Sequence, residues 1–299
     1  MKLKRRRLLQ CAAALSLIGT RSWAVTEAAF GDFTVHSVSD GKLVLPVGFL
    51  TVPGDDQTEA REILSEAGIS GESFDSPLNL TLMTRGDEKI LFDTGSGSGF
   101  MPTAGKLTEA LAAIDISPDQ ITHIVFTHAH PDHIWGALDD FDEPAFANAR
   151  HMIGRVERDY WLDPATPGRI DSDRLSFVAG AKRRIETLGD LLEVFEDGDE
   201  VLPGIRAVMT PGHTPGHASF DLDGQLFVIG DVVTNPHLAF RRPDILSGSD
   251  QEPEIAAKTR IKVLNFLSES NINILGYHLP DGGIGKVRRD GGGFAFITG

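Results

Sequence analysis

The stretch Thr127-His128-Ala129-His130-Pro131-Asp132-His133 places four potential metal ligands within six residues. An apolar, β-branched run at 121–126 precedes it and predicts a buried strand that ends where the ligands begin. A regular helix or strand could not direct all four side chains at one point, whereas a loop at the end of a strand can. Imidazole and carboxylate groups suit Zn²⁺ and similar first-row ions. The stretch therefore predicts a metal site in a loop.

Three more candidate ligands lie further along the chain, each just after an apolar, strand-like run. They are His213, Asp231 and His278. Loops at the ends of these strands could present all three to one shared site. A carboxylate between two cations can bridge them, and Asp231 suits that role. The candidates thus form two sets, with three histidines for one ion and an Asp/His/His set for the other.

Taken in chain order, these seven residues resemble the ligand pattern of the metallo-β-lactamase superfamily. The resemblance implies an α+β fold, the αββα sandwich, in which two mixed β-sheets are flanked by helices and the metals lie at one edge between the sheets. It also implies a role for each ligand. His128, His130 and His213 would bind the first metal, Asp132, His133 and His278 the second, and Asp231 would bridge the two.

Several shorter segments resemble the methyl parathion hydrolase group within that superfamily. They include residues 31–35, 39–41, 93–95 and 278–280. Members of that group carry aromatic side chains over the metals, and this implies a substrate pocket walled by Phe100, Trp161 and Phe177. Methyl parathion hydrolases cleave phosphotriesters, and their relatives include lactonases and aryl esterases. The fold and the metal ligands therefore do not determine which substrate is hydrolysed.

The implied chemistry is metal-dependent hydrolysis. Two divalent ions about 3.5–4 Å apart can share a hydroxide and lower its pKa towards 7. We expect a dinuclear hydrolase in which this bridging hydroxide attacks an uncharged ester, lactone or phosphotriester, with Asp132 and Asp231 as catalytic groups that accept or pass on a proton. Zinc is the first candidate metal, and manganese, cobalt and iron are alternatives. The alternative functions are a β-lactamase, another metallo-hydrolase of the superfamily, or a non-catalytic metal-binding protein.

Residues near the ligands carry further expectations. Asp93 follows an apolar strand and is predicted either to orient a ligand or to cap the turn after it. His217 is expected to make a structural hydrogen bond, and His123 to pack in the core. Lactonases of the superfamily often use a tyrosine shortly after the bridging aspartate. Here residues 232–235 contain none, which argues against a direct transfer of that mechanism.

The first 24 residues have the layout of a twin-arginine-like signal peptide. Arg5-Arg6-Arg7 precedes an apolar run at 8–18, and Ser22-Trp23-Ala24 offers a small-x-small cleavage site. The apolar run is short for a membrane-spanning helix, although an uncleaved N-terminal anchor is the alternative. We therefore expect one hydrolase domain over 25–299 and a periplasmic or secreted location.

Composition limits the partners. The net charge is −15, and removing residues 1–24, which carry six of the 28 Lys and Arg side chains and none of the 43 acids, would leave −21. A nucleic-acid binder would normally present a basic face, so we expect a small-molecule substrate and no nucleic acid. We also expect no stable membrane association after signal cleavage. Composition does not decide whether the protein forms a homodimer. The one cysteine, Cys11, lies in the expected signal, so no thiolate ligand is available in the mature chain.

The remaining pattern predicts strands with interspersed helices. One hairpin is expected over 33–45 around Asp40-Gly41, and a second over 79–92 with its turn at Gly86-Asp87. Predicted helices are 106–114, 173–188 and 254–267, and further predicted strands are 203–209, 218–222, 226–229, 272–276 and 293–297.

Overall fold

The computed structural model describes residues 26–52 and 57–298, so the expected signal peptide lies outside the described residues. The first of its two sheets has seven strands in chain order, antiparallel from β1 to β4 and parallel from β4 to β7. Its strands are β1 (Thr26–Phe30), β2 (Phe33–Pro46), β3 (Ser73–Arg85), β4 (Glu88–Phe92), β5 (His123–Val125), β6 (Arg150–Gly154) and β7 (Leu192–Phe195).

The second sheet also has seven strands next to one another in chain order. Its only parallel pair is β11 with β12, and the other described pairs are antiparallel. Its strands are β8 (Glu200–Leu202), β9 (Ile205–Met209), β10 (Ala218–Leu222), β11 (Leu226–Gly230), β12 (Asn273–Gly276), β13 (Ile284–Asp290) and β14 (Gly293–Ile297).

Seven α-helices connect the strands of the described chain. They are α1 (Gln57–Glu66), α2 (Leu107–Ala112), α3 (Pro131–Ile134), α4 (Arg155–Leu162), α5 (Leu175–Leu188), α6 (Leu238–Arg241) and α7 (Pro253–Ser270). Among residues 26–52 and 57–298, no helix combines the length and the apolar character needed to cross a membrane.

Three buried clusters of apolar side chains separate the layers. The middle cluster joins the two sheets and includes Phe92 of β4 and Phe220 of β10, whose ring centroids are 5.0 Å apart. A second cluster packs the first sheet against α2 and α5, and a third packs the second sheet against α7 through Leu264 and Leu267. Burying both faces of each sheet in this way gives the layer order helix, sheet, sheet, helix, and the expected αββα fold is confirmed.

The predicted hairpin around Asp40-Gly41 is wrong. Strand β2 runs through this point and pairs with β3 on both sides of it, with a register shift between Ser39 and Gly41. The Asp40 carboxylate is buried and accepts backbone N–H groups from Ser96, Gly105 and Leu107 at 2.8, 3.1 and 2.8 Å. These distant partners hold a β-bulge where the dipeptide alone favours a turn.

The other predicted elements hold with shifted ends. The hairpin of β3 and β4 is confirmed, and so are the helices that became α2, α5 and α7. The sequence predicted a loop for the whole ligand stretch, but Asp132 and His133 lie in the single-turn helix α3. His123 also differs from its expected core position. It is half-buried at the start of β5, with Nδ1 2.9 Å from the hydroxyl of Thr122.

Buried His151 in β6 makes stability depend on pH. Its ring is fully buried and stacks on Phe126 at 6.3 Å, and burial lowers its pKa from 6.5 to about 4. A lowered folded-state pKa contributes stability that is present above pH 6.5 and is lost as the pH falls towards 4, by roughly 3 kcal/mol. We expect the free energy of unfolding of His151→Leu to fall less steeply over that range than that of the wild type in urea denaturation at several pH values. Parallel pH profiles for the two proteins would contradict this.

Candidate metal centre

The seven candidate ligands meet at one edge of the sandwich. The turn after β5 carries His128 to His133, the connection from β9 to β10 carries His213, and the ends of β11 and β12 carry Asp231 and His278. Because β11 and β12 are parallel neighbours, their carboxyl ends adjoin, and this places Asp231 beside His278. The strand order therefore brings together residues up to 150 positions apart.

The first ligand set is three histidines whose inner nitrogens face one another. His130 Nδ1 lies 3.1 Å from His128 Nε2 and 2.8 Å from His213 Nε2. All three are buried, and burial lowers the pKa of His128 and of His130 well below the ordinary value, which leaves these rings neutral. Three converging, buried imidazoles match the ligand set of a structural or catalytic metal site.

The second set consists of Asp132, His133 and His278. His133 Nε2 lies 3.6 Å from Asp132 Oδ2 and 3.4 Å from Asp231 Oδ1, and His278 Nε2 lies 3.6 Å from Asp132 Oδ2. Both His133 Nε2 and Asp231 Oδ1 are buried without a hydrogen-bond partner. Buried polar atoms are normally paired, so two such atoms aimed at one point fit a bound cation. The residues present therefore fit a divalent metal ion.

Asp231 lies between the two sets. Its Oδ2 is 3.2 Å from His213 Nε2 and 3.1 Å from His278 Nε2. Gly230 directs it there with φ +51°, where a Cβ would come within 2.6 Å of His217 Nε2. That same nitrogen accepts the backbone N–H of Asp231 at 2.9 Å, which confirms a structural hydrogen bond for His217.

The charges of the site are strongly coupled. Burial on its own would raise the pKa of Asp231, but His278, His133 and His213 lower it well below its ordinary value. Burial on its own would lower the pKa of His133, but Asp231, Asp93 and Asp132 raise it well above its ordinary value. A cation and a proton would compete for the same His133 lone pair, so a metal ion bound here would displace a proton.

Asp93 holds His133 from behind. Its Oδ2 lies 2.8 Å from His133 Nδ1, and its two oxygens accept the N–H and the hydroxyl of Thr127, each at 2.8 Å. This confirms that Asp93 orients a ligand. Because Nδ1 is bonded to Asp93, Nε2 is the atom of His133 that would hold a metal ion.

Asp250 orients His213 in the way that Asp93 orients His133. No pattern in the sequence indicated this role for Asp250. Its Oδ1 lies 2.9 Å from His213 Nδ1, and its Oδ2 accepts from Arg260 at 2.8 Å. Arg260 is 2% exposed and also donates to the carbonyl of Val232, next to Asp231. Helix α7 is thereby tied to the first ligand set and to the loop that carries Asp231.

Glu157 of α4 is a further residue that sequence reasoning missed. One carboxylate oxygen accepts from Ala129 N at 2.8 Å and Trp161 Nε1 at 2.6 Å, and the other accepts from the Thr214 hydroxyl at 2.7 Å and Gly216 N at 3.1 Å. Since Ala129 separates His128 from His130 and Thr214 follows His213, this buried carboxylate joins the two loops of the first ligand set. The charged residues beside Glu157 make α4 resemble a solvent-exposed helix in the sequence. Only the packing of the folded chain shows that Glu157 holds the two loops.

The expected aromatic wall is corrected at one position. Phe100 and Phe177 line the cavity over the ligands, and their ring centroids are 6.1 Å apart. Trp161 is fully buried beneath His130, at 5.9 Å, because its indole N–H is bonded to Glu157. It supports a ligand loop and does not line the cavity. The apolar part of that cavity comprises Leu43, Leu45, Phe49, Phe100 and Phe177.

Neither tyrosine of the described chain lines this cavity. Tyr277 stacks on His133 at 4.0 Å, and its hydroxyl donates to the carbonyl of Asp132 at 2.6 Å. Its hydroxyl proton is thus engaged in holding α3. The site offers no phenol to a substrate.

We expect Glu157→Gln to weaken metal binding at the first ligand set. The amide NH₂ would face donors that now share one carboxylate oxygen, and loss of such a supporting partner typically costs 10- to 100-fold in metal affinity. Competition with a chromogenic chelator measures this. Trp161→Phe is the matched control. It keeps an aromatic ring at this position and removes only one of the four donors to Glu157, so its loss of metal affinity should be smaller. Unchanged metal affinity in a folded Glu157→Gln protein would disprove the role.

Comparison with known proteins agrees with this geometry. The family model of the metallo-beta-lactamase superfamily matches residues 75–265. The uncharacterized protein YobT of Bacillus subtilis is 32% identical over 161 residues, which cover 52% of this chain and 62% of that protein. The N-acyl homoserine lactonase AttM of Agrobacterium fabrum is 31% identical over 121 residues, which cover 38% of this chain and 40% of that protein. The chain thus spans less than two thirds of the length of either relative.

Two solved structures superpose on nearly the whole chain. The hydrolase AbOPH of the beta lactamase superfamily has a TM-score of 0.84 and 28% identity, and the match covers 92% of this chain and 97% of that one. AidC, a dizinc quorum-quenching lactonase, has a TM-score of 0.85, 24% identity and the same coverage, and shares the fold. The model of the metallo-β-lactamase superfamily matches well over half of the residues of this chain, and the chain therefore belongs to that superfamily.

Proposed function

We propose that this protein is a dinuclear, zinc-dependent hydrolase of uncharged esters and lactones. The observation that carries the proposal is the position of Asp231 Oδ2, about equally far from His213 Nε2 and His278 Nε2. A carboxylate in that position can be shared between two ions, one in each ligand set. The dizinc lactonase AidC and the lactonase AttM are similar to this chain and support the reaction class.

When bound, two such ions supply a hydroxide nucleophile at neutral pH and polarise the substrate carbonyl or phosphoryl oxygen. The remaining work falls to the chain. Asp93, Asp250 and Glu157 hold the ligand side chains in place through buried hydrogen bonds. Asp132 and Asp231 both line the cavity, and they are the carboxylates that would accept or pass on a proton near the substrate.

The cavity wall selects for apolar, uncharged groups. Leu43, Leu45, Phe49, Phe100 and Phe177 line the cavity together with the candidate ligands. Such apolar side chains bind acyl or aryl groups by burying them.

Aryl esters and aryl phosphotriesters are a second candidate class. The cavity contains no tyrosine, so a leaving oxygen finds no phenolic proton donor. Aryl oxides leave without prior protonation more readily than alkoxides do. This favours substrates with acidic leaving groups and agrees with the sequence resemblance to the methyl parathion hydrolase group.

We expect purified protein to contain about two zinc ions per chain and to hydrolyse lactones and aryl esters, with slower turnover of aryl phosphotriesters. A panel of these substrates with a β-lactam and a phosphodiester, run beside elemental analysis, measures both. Asp231→Ala should lower the metal content and reduce kcat by at least about 100-fold, because it removes the shared ligand.

Two results would contradict the proposal in different ways. Turnover confined to β-lactams or phosphodiesters would show that the substrate class is wrong while the metal chemistry holds. Full activity of the chelated protein would show that the site is not catalytic.

We further propose that the protein is exported and cleaved after Ala24. The basic residues, the apolar run and Ala24 support this. Mass spectrometry of protein from the native cell envelope should find an N-terminus between Val25 and Phe30. Changing Arg5 and Arg6 together to Lys should retain the protein in the cytoplasm if export uses the twin-arginine route. Intact protein starting at Met1 in wild-type cytoplasm would contradict export.

A further inference from the structure

A guanidinium group lines the same cavity as Phe100. Arg174 ends the 3-10 turn Ser172–Arg174 just before α5, is 8% exposed, and lines the cavity together with His130 and Asp132. It is the only lysine or arginine among the residues that line this cavity. Its charge is near enough to His130 to contribute to the lowered pKa of that ring.

The known contacts of Arg174 satisfy only part of its hydrogen-bonding capacity. Its two terminal nitrogens donate to the carbonyls of Gly248 and Ser249, and the group lies over the ring of Phe49 at 5.0 Å. A guanidinium has five N–H donors, so others are left for a ligand. Within residues 26–52 and 57–298, no ion pair joins Arg174 to a carboxylate. Asp171 and Asp250 act on its charge only through space, and Asp250 is itself paired with Arg260.

A buried charge without a counter-ion is costly, and guanidinium remains charged at neutral pH. Tethering two backbone carbonyls would require only neutral N–H donors. A full positive charge stabilises most where negative charge appears, and in ester hydrolysis negative charge develops on the leaving oxygen. The cavity supplies no tyrosine to protonate that oxygen.

We propose that Arg174 is a catalytic residue that donates hydrogen bonds to the leaving-group oxygen as its bond to the acyl carbon or phosphorus breaks. This inference rests on the proposed function. In the step, water contributes its hydroxyl group to the acyl carbon, and the electron pair of the broken bond stays on the leaving oxygen. That oxygen departs as an anion paired with the guanidinium, and the second proton of the water passes to solvent.

A series of aryl hexanoates with phenols of increasing pKa tests this role. The acyl chain is constant, so only the demand for stabilisation of the leaving oxygen changes along the series. Arg174→Met should lower kcat/KM on the order of 100-fold for phenyl hexanoate, as removal of an oxyanion donor does, and by only about threefold for the 2,4-dinitrophenyl ester. The slope of log kcat/KM against phenol pKa should therefore become steeper than in the wild type.

Arg184→Met is the matched control. Like Arg174, Arg184 donates to two backbone carbonyls, those of Trp135 and Gly180, and lies over an aromatic ring, that of Trp135 at 4.8 Å. It is half-buried and does not line the cavity. Its replacement should leave the slope unchanged. Arg174→Lys, which keeps the charge without the planar fork, should give an intermediate slope, and it serves as the test variant if Arg174→Met does not fold.

The outcomes separate the two proposals. An equal loss for every ester, or no loss, would overturn the role of Arg174 and leave the proposed function intact. A wild-type protein that hydrolyses lactones and no aryl ester would overturn the role for aryl leaving groups. A wild-type protein that hydrolyses neither would overturn both proposals.

Discussion

The buried Asp231 carboxylate, with a histidine from each ligand set at about 3 Å, is the constraint on which the site depends. Its geometry requires three features of the fold at once. The parallel pairing of β11 with β12 brings Asp231 beside His278, the left-handed Gly230 turns the backbone, and His217 holds the amide. Asp231 Oδ1 and His133 Nε2 lie 3.4 Å apart, and both are buried without a hydrogen-bond partner, which fits a site built to hold a cation.

Three further carboxylates organise the ligands without lining the cavity. Asp93 supports His133, Asp250 supports His213, and Glu157 ties the loops on either side of the first ligand set. Each is buried and has at least two hydrogen-bond partners, so its own desolvation is offset. Together they reach into β4, α4 and α7, and this couples the geometry of the metal site to the packing of both outer layers.

The cavity above the ligands divides into an apolar wall and one cation. Phe100 and Phe177 provide a surface for acyl or aryl groups, whereas Arg174 provides charge with no carboxylate partner. Tyr277, the one tyrosine adjacent to a ligand, is committed to stacking on His133 and to bonding α3. A leaving oxygen in this cavity therefore meets a guanidinium group where other sites would offer it a phenol. The apolar wall and the guanidinium group together determine which substrates the cavity favours.

The sequence by itself determined the fold class and the seven candidate ligands. Ligand spacing around His128–His133 and the apolar runs before the other ligands are local properties of the chain. It also indicated the hairpin of β3 and β4, whose turn residues act locally. Tertiary structure decided what depends on distant partners. Asp40-Gly41 became a bulge because amides some 56 to 67 residues away bind its carboxylate. Trp161 does not form part of the expected aromatic wall, because its indole N–H donates to Glu157. The roles of Glu157, Asp250 and Arg174 depend on neighbours that no local pattern reveals. Hydrogen bonds and buried charges are satisfied in three dimensions, so a side chain's role at this site is set by which loops the two sheets bring together.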